Sequence, residues 1–278
     1  MPAVEVVARQ EVSAPSGNNS SSVKEAKMAT VDLGDVTIHY EEVGQGPTAF
    51  ILCESDHMTW GPKAHDHRYP GGENMIPELN HWKADIGRAI YWEYPGKGES
   101  SEPAKYNLPF AASALARLID KLGVTKPIVY GLEWGGVLAQ EYALDYPEQC
   151  AALVLDSASP ELNEPASEGW YKQAYSRLED PVSFPERPKY SKFVCRVFGS
   201  MYERPMTPRL HNIKSPTFIL AGAKDTATRG AGGSVIMSRQ IKGSQLKIFD
   251  EGGHGLIRER PREVQPLVIE FLRKHGVI

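Results

Sequence analysis

Past residue 27 the chain is written in short apolar runs separated by amphipathic stretches. AFILC (49–53), AIYWEY (89–94), PIVYG (127–131), AALVLD (151–156), TFILAG (217–222) and LKIFD (246–250) are continuous and rich in β-branched or aromatic residues. A strand with one wet face alternates apolar and polar residues; these runs do not, so each predicts a strand covered on both faces. Helical periodicity fills the gaps at 74–85, 106–122, 134–146 and 261–274. In the last of these, Val264, Leu267, Val268, Phe271 and Leu272 share one face. Val31–Leu33 and Val36–Tyr40 flank a Gly34–Asp35 turn and predict a hairpin ahead of the first buried strand. Strands alternating with helices predict an α/β fold, a mostly parallel doubly wound sheet opened by an antiparallel hairpin.

Two segments depart from this rhythm. Residues 1–27 contain SGNNSSS and little to bury, the composition of a disordered tail. Residues 161–208 are rich in Pro, Glu and aromatics and predict a small lid inserted in a core of 28–160 and 209–278. In that lid Trp170, Tyr171 and Tyr175 are candidates to wall an apolar pocket.

Composition narrows the function classes. With 41% hydrophobic residues the chain can bury a sizeable core, and 31 Lys+Arg against 35 Asp+Glu give a net charge of -4. There is no basic footprint for nucleic acid or an anionic membrane. No apolar run approaches the roughly 20 residues that span a bilayer. Cys53, Cys150 and Cys195 form no spaced disulfide or zinc framework, and the start lacks a signal-peptide core, so a cytoplasmic setting is expected. The cluster Asp56, His57, His65, Asp66 and His67 has one short chelating spacing but no second ligand set, so no metal is expected.

The chemistry concentrates in GLEWGG (131–136), which follows one predicted strand and opens a helix. Glycines in that setting permit a sharp turn and close helix packing, which pushes the middle side chain, Glu133, up from the sheet. With YWEYPGKGESSEP (91–103), AGAKDTATRG (221–230) and IFDEGGHGLIRERPREVQPLVIEFL (248–272), the stretch from 29 to 278 resembles the α/β-hydrolase superfamily, nearest its proline-iminopeptidase-like and epoxide-hydrolase-like branches. The resemblance implies an α/β-hydrolase fold and a cofactor-free enzyme acting on a small molecule. It also implies a triad of nucleophile, acid and histidine at Glu133, Asp225 and His254, with Asp156 as the alternative acid.

Two positions depart from the family pattern. Glu133 stands where most members carry serine; epoxide hydrolases and haloalkane dehalogenases place aspartate there, often followed by Trp–Gly–Gly as here. After the third strand, where a His–Gly pair is expected to shape the oxyanion hole, the chain reads Cys53–Glu54–Ser55–Asp56–His57. Cys53, Glu54, Ser55 and His57 are therefore pocket candidates, and the backbone N–H of Trp134 is a candidate oxyanion donor.

A carboxylate at the elbow has three roles open to it. It can attack an sp³ carbon and form an ester that a His254-activated water cleaves. It can serve as acid or base in lyase, isomerase or cyclase chemistry, the role that weighs most in this reading, with Glu54 as a partner if it faces the pocket. It can also bind a ligand in a protein that has lost turnover. Acyl transfer of the serine type is disfavoured, because carboxylate attack on an ester or amide gives a mixed anhydride.

Overall fold

The computed structural model describes residues 27–53, 76–96, 99–104, 107–161, 200–201, 203–226 and 231–278, with Ile76 and Pro77 described by backbone alone. Eight strands form one sheet: β1 (Lys27–Asp32), β2 (Thr37–Gly44), β3 (Thr48–Cys53), β4 (Arg88–Trp92), β5 (Lys126–Leu132), β6 (Ala152–Asp156), β7 (Thr217–Gly222) and β8 (Gln245–Phe249). Their order is β1-β2-β4-β3-β5-β6-β7-β8. The contacts β1–β2 and β2–β4 are antiparallel and every other pair is parallel.

The continuous apolar runs lie where their composition requires, except LKIFD: β8 is the edge strand, and of its residues only Phe249 is buried. Every residue of β4, β6 and β7 is buried. Alternate side chains of β3 go to opposite faces: Ala49, Ile51 and Cys53 to one apolar cluster, Phe50 and Leu52 to the other. The first cluster is covered by α2 (Leu108–Lys121) and α3 (Trp134–Asp145), the second by α1 (Ile76–Ile86) and α6 (Pro261–Lys274).

Local chemistry sets the helix ends. Asn107 caps α2 by accepting the Phe110 amide at 2.9 Å, and Gly123 closes it at φ 66°. Pro261 starts α6, and of its predicted apolar face Val264, Val268, Phe271 and Leu272 are buried and Leu267 partly so. Two α-helices escaped the sequence, α4 (Ala231–Gln240), which opens Ala–Gly–Gly, and the single turn α5 (Leu256–Glu259), as did a 3-10 helix at Thr207–Asn212. Among the described residues no helix is long and apolar enough to cross a membrane, and no group of three or more His, Cys, Asp or Glu could hold a metal ion.

Candidate active site

The carboxyl ends of β5, β6 and β7 carry the site. At the end of β5 the chain turns into α3 through Glu133, which holds φ 49° and ψ -109°. That is a strained geometry for a side chain other than glycine, of the kind that costs about 1–3 kcal/mol and gathers at functional positions. Backbone bonds keep it there: the Glu133 amide donates to the Asp156 carbonyl at 2.9 Å, and the Gly136 amide donates to the Glu133 carbonyl at 2.9 Å.

The flanking glycines are required by contact. A Cβ on Gly131 would stand 2.5 Å from the Gly136 Cα, and one on Gly136 would stand 2.4 Å from the Ala158 Cβ. The strand, the elbow and α3 thus approach closer than any side chain allows.

A second turn follows β7, and it packs on the loop after β8. Lys224 donates its amide to the Gly252 carbonyl at 2.9 Å, and Ala223 donates to Phe249 at 2.9 Å. A Cβ on Gly222 would meet the Gly253 carbonyl oxygen at 2.1 Å. These contacts bring Asp225 and His254, 29 residues apart in sequence, side by side.

The imidazole of His254 stands between two carboxylates. Its Nδ1 donates to Asp225 Oδ2 at 2.9 Å, and its Nε2 lies 3.2 Å from Glu133 Oε2. The Glu133 and Asp225 side chains are 4% and 1% exposed, against 22% for His254, so the charges meet with little water between them. Burial pulls the pKa of His254 down, but its bonds to Asp225 and Glu133 and their negative charges outweigh this and lift it to about 10. At neutral pH this favours the imidazolium, with one N–H toward each carboxylate.

The remaining sequence candidates fall as follows. Asp156 is fully buried, but its carboxylate is turned to the backbone amides of Leu256 (3.1 Å) and Ile257 (2.8 Å) and to the hydroxyls of Tyr130 (2.7 Å) and Ser157 (2.9 Å). The histidine takes Asp225 as its acid, and the alternative is displaced because all its acceptor sites are occupied elsewhere. Cys53 does not present its thiol to the site. Its side chain belongs to the core beneath α2 and α3, where burial pushes the thiol up to about 12. Only the backbone of Cys53, in register with Gly131, stands beside the elbow. Trp134 is 7% exposed and packs in the same core, at the first position of α3. Glu54, Ser55, His57, Trp170, Tyr171, Tyr175 and Cys195 lie outside the described residues, as do residues 1–26 of the expected tail 1–27, whose last residue, Lys27, begins β1 instead.

Sequence reasoning missed Ser157, which sits at φ 52° and accepts the Gly255 amide at 2.9 Å. No local signal marks it, since its partner is 98 residues away.

A mostly parallel sheet with a charged residue at the strand–helix elbow, an acid after β7 and a histidine before the last helix defines a protein of the α/β-hydrolase class. The alpha/beta hydrolase fold family matches residues 88–200. A poly(3-hydroxyalkanoate) depolymerase from Ectopseudomonas oleovorans is 30% identical over 240 residues, which are 74% of this chain and 79% of that protein. A bifunctional epoxide hydrolase 2 from Sus scrofa is 34% identical over 122 residues, 42% of this chain and 20% of that one. A hydrolase structure from Pseudomonas aeruginosa superposes with a TM-score of 0.67 at 21% identity, covering 91% of this chain and 99% of that chain. The chain belongs to the alpha/beta hydrolase superfamily, and its relatives include epoxide hydrolases.

Proposed function

We propose that the protein is a hydrolase in which Glu133, not a serine, is the nucleophile, acting on a strained or activated C–O bond at an sp³ carbon of a small apolar molecule such as an epoxide. The observation that carries this reading is the position of His254 between Glu133 and Asp225, with a proton affinity that depends on the charge of Glu133.

The proton balance closes over two steps. In the first, a Glu133 carboxylate oxygen attacks carbon and the C–O bond of the epoxide breaks. Glu133 becomes a neutral ester, so one of the two charges that hold the proton on His254 is gone. The proton passes to the alkoxide and leaves a neutral imidazole. In the second, that imidazole, oriented by Asp225, takes a proton from water while the hydroxide attacks the ester carbonyl. The diol leaves, and Glu133 carboxylate and His254 imidazolium are restored. No oxidant, metal or cofactor enters the balance.

The hydrolases among the relatives support this class over lyase, isomerase or cyclase chemistry. The same imidazolium also favours a second reading, in which Glu133 abstracts a proton and His254 returns one without any ester. A His254→Gln variant separates the two. Incubated with small epoxides, it should accumulate an adduct of one substrate mass on the peptide holding Glu133: water can still protonate the alkoxide, so the ester forms, more slowly, while no imidazole is left to activate the water that cleaves it. A variant that reaches no adduct with any substrate the parent consumes would refute the nucleophile.

A further inference from the structure

The loop bearing His254 is fixed by a group outside the triad. Immediately after His254, three consecutive backbone amides are captured by side chains at the end of β6. Gly255 donates to Ser157 Oγ at 2.9 Å, Leu256 to Asp156 Oδ1 at 3.1 Å and Ile257 to Asp156 Oδ2 at 2.8 Å. Each Asp156 oxygen takes a second donor: Ser157 Oγ on Oδ1 at 2.9 Å and Tyr130 Oη on Oδ2 at 2.7 Å.

The same residue reaches the elbow, because its carbonyl accepts the Glu133 amide at 2.9 Å. One residue thus holds the elbow at Glu133 by its main chain and, by its side chain, the amides two and three residues past His254. Its own environment is closed to solvent. Asp156 is 0% exposed, and Tyr130 is wedged with its ring 5.5 Å from Phe50 and 5.8 Å from Trp82. Gly255 at φ 77° lets the chain bend from the imidazole into this cradle.

Burial of a carboxylate is costly, and here it raises the pKa of Asp156 against the pull of four donors. A stability role alone does not require a charge at this place. Short amides aimed at a carboxylate give a stiff, directional anchor at the start of α5, a helix of a single turn that cannot hold its own loop in register.

We propose that Asp156, with Ser157, is the positioning pair of the histidine loop, fixing where His254 stands between Glu133 and Asp225. It acts through His254 and touches no reacting atom. The inference rests on the pairing of Glu133 with His254, but its test needs no turnover, so its failure is distinguishable from failure of the nucleophile reading.

The readout is the titration of the His254 imidazole by NMR, its resonance assigned by loss in a His254→Gln variant. Among the described residues, the charged groups paired with this imidazole are Glu133 from the elbow and Asp225 from the loop after β7, while the exposed Glu259 of α5 holds the Gly253 amide at 2.7 Å. Displacing the ring by even a fraction of an ångström weakens the contacts that retain its proton. Asp156→Asn, which turns an amide NH2 toward backbone N–H groups, should lower the midpoint by at least about one unit, a tenfold loss of proton affinity.

Ser157→Ala removes only the Gly255 acceptor and changes no charge. It should lower the midpoint in the same direction by a smaller, resolved amount, and it decides the question if Asp156→Asn fails to fold. Tyr130→Phe should fall between the parent and Asp156→Asn. If Ser157→Ala and Tyr130→Phe reduce thermal stability while the His254 midpoint and chemical shifts stay at parental values, the residues are structural only and the proposal is overturned.

Discussion

Two buried glutamates on one helix show how surroundings decide what a carboxylate does. Glu133 stands at the N-cap of α3 and Glu141 lies two turns further along; they are 4% and 0% exposed. Glu141 is gripped by two guanidiniums: Arg209 Nη2 at 2.5 Å, and Arg204, which also pairs with Asp145 at 2.6 Å and 2.8 Å. Its pKa rises through burial, opposed by Arg209 and Arg204, and a guanidinium is a fixed cation with no proton to lend to chemistry. Such a cluster can only hold structure, tying residues 204–209 to α3. Glu133 faces a histidine instead, a cation whose proton can leave, and it does so from a strained backbone position. Equal burial therefore gives an anchor in one case and a reactive group in the other.

The largest expected effect comes from exchanging each acid for its amide. Glu133→Gln should reduce turnover on the order of 10³-fold or more, since an amide is no nucleophile, yet shift unfolding free energy by less than about 1 kcal/mol because Asp225 still holds His254. Glu141→Gln should do the reverse. It leaves two guanidiniums facing an amide and should destabilise by about 1–3 kcal/mol in chemical denaturation, a range reduced because Arg204 is 40% exposed. Turnover per folded molecule should stay within about twofold. If Glu141→Gln silences catalysis while Glu133→Gln spares it, the contrast is void.

Smaller but cleaner is the pH dependence of stability. The folded pKa of His254, about 10, lies above its usual 6.5. The stabilisation from its charged form is therefore fully present below about pH 6.5 and is lost as pH rises towards 10. Thermal melts of the parent should decline across that window, and Glu133→Gln should flatten the decline. A melting temperature that is level from pH 6.5 to 10 in the parent would mean that the imidazole is neutral between its two acids.

The legible and illegible parts of this molecule divide by range. Strand runs such as PIVYG and TFILAG, and the glycines around Glu133, state their structure within a few residues because burial on both faces and close backbone approach are local demands. Asp225 and His254, in the loops after β7 and β8, were named only through the family resemblance, and the fold sets them 2.9 Å apart. The α4 helix was not, because Gly232 and Gly233 in its first turn mask its periodicity. Asp156 read as a spare acid, and only the fold shows its oxygens turned to amides 100 and 101 residues ahead. The partners of Glu141, 63 and 68 residues away, leave no mark in the sequence either.

The central claim is that Glu133 forms a covalent ester, and a single turnover in ¹⁸O-water tests it most directly. With enzyme in excess over a small epoxide, the account predicts one ¹⁸O in the peptide carrying Glu133 and none in the diol, because water attacks the carbonyl of the enzyme ester and the product leaves with a protein oxygen. A labelled diol with an unlabelled Glu133 would mean that water attacks the substrate itself, and the nucleophile assignment would fall.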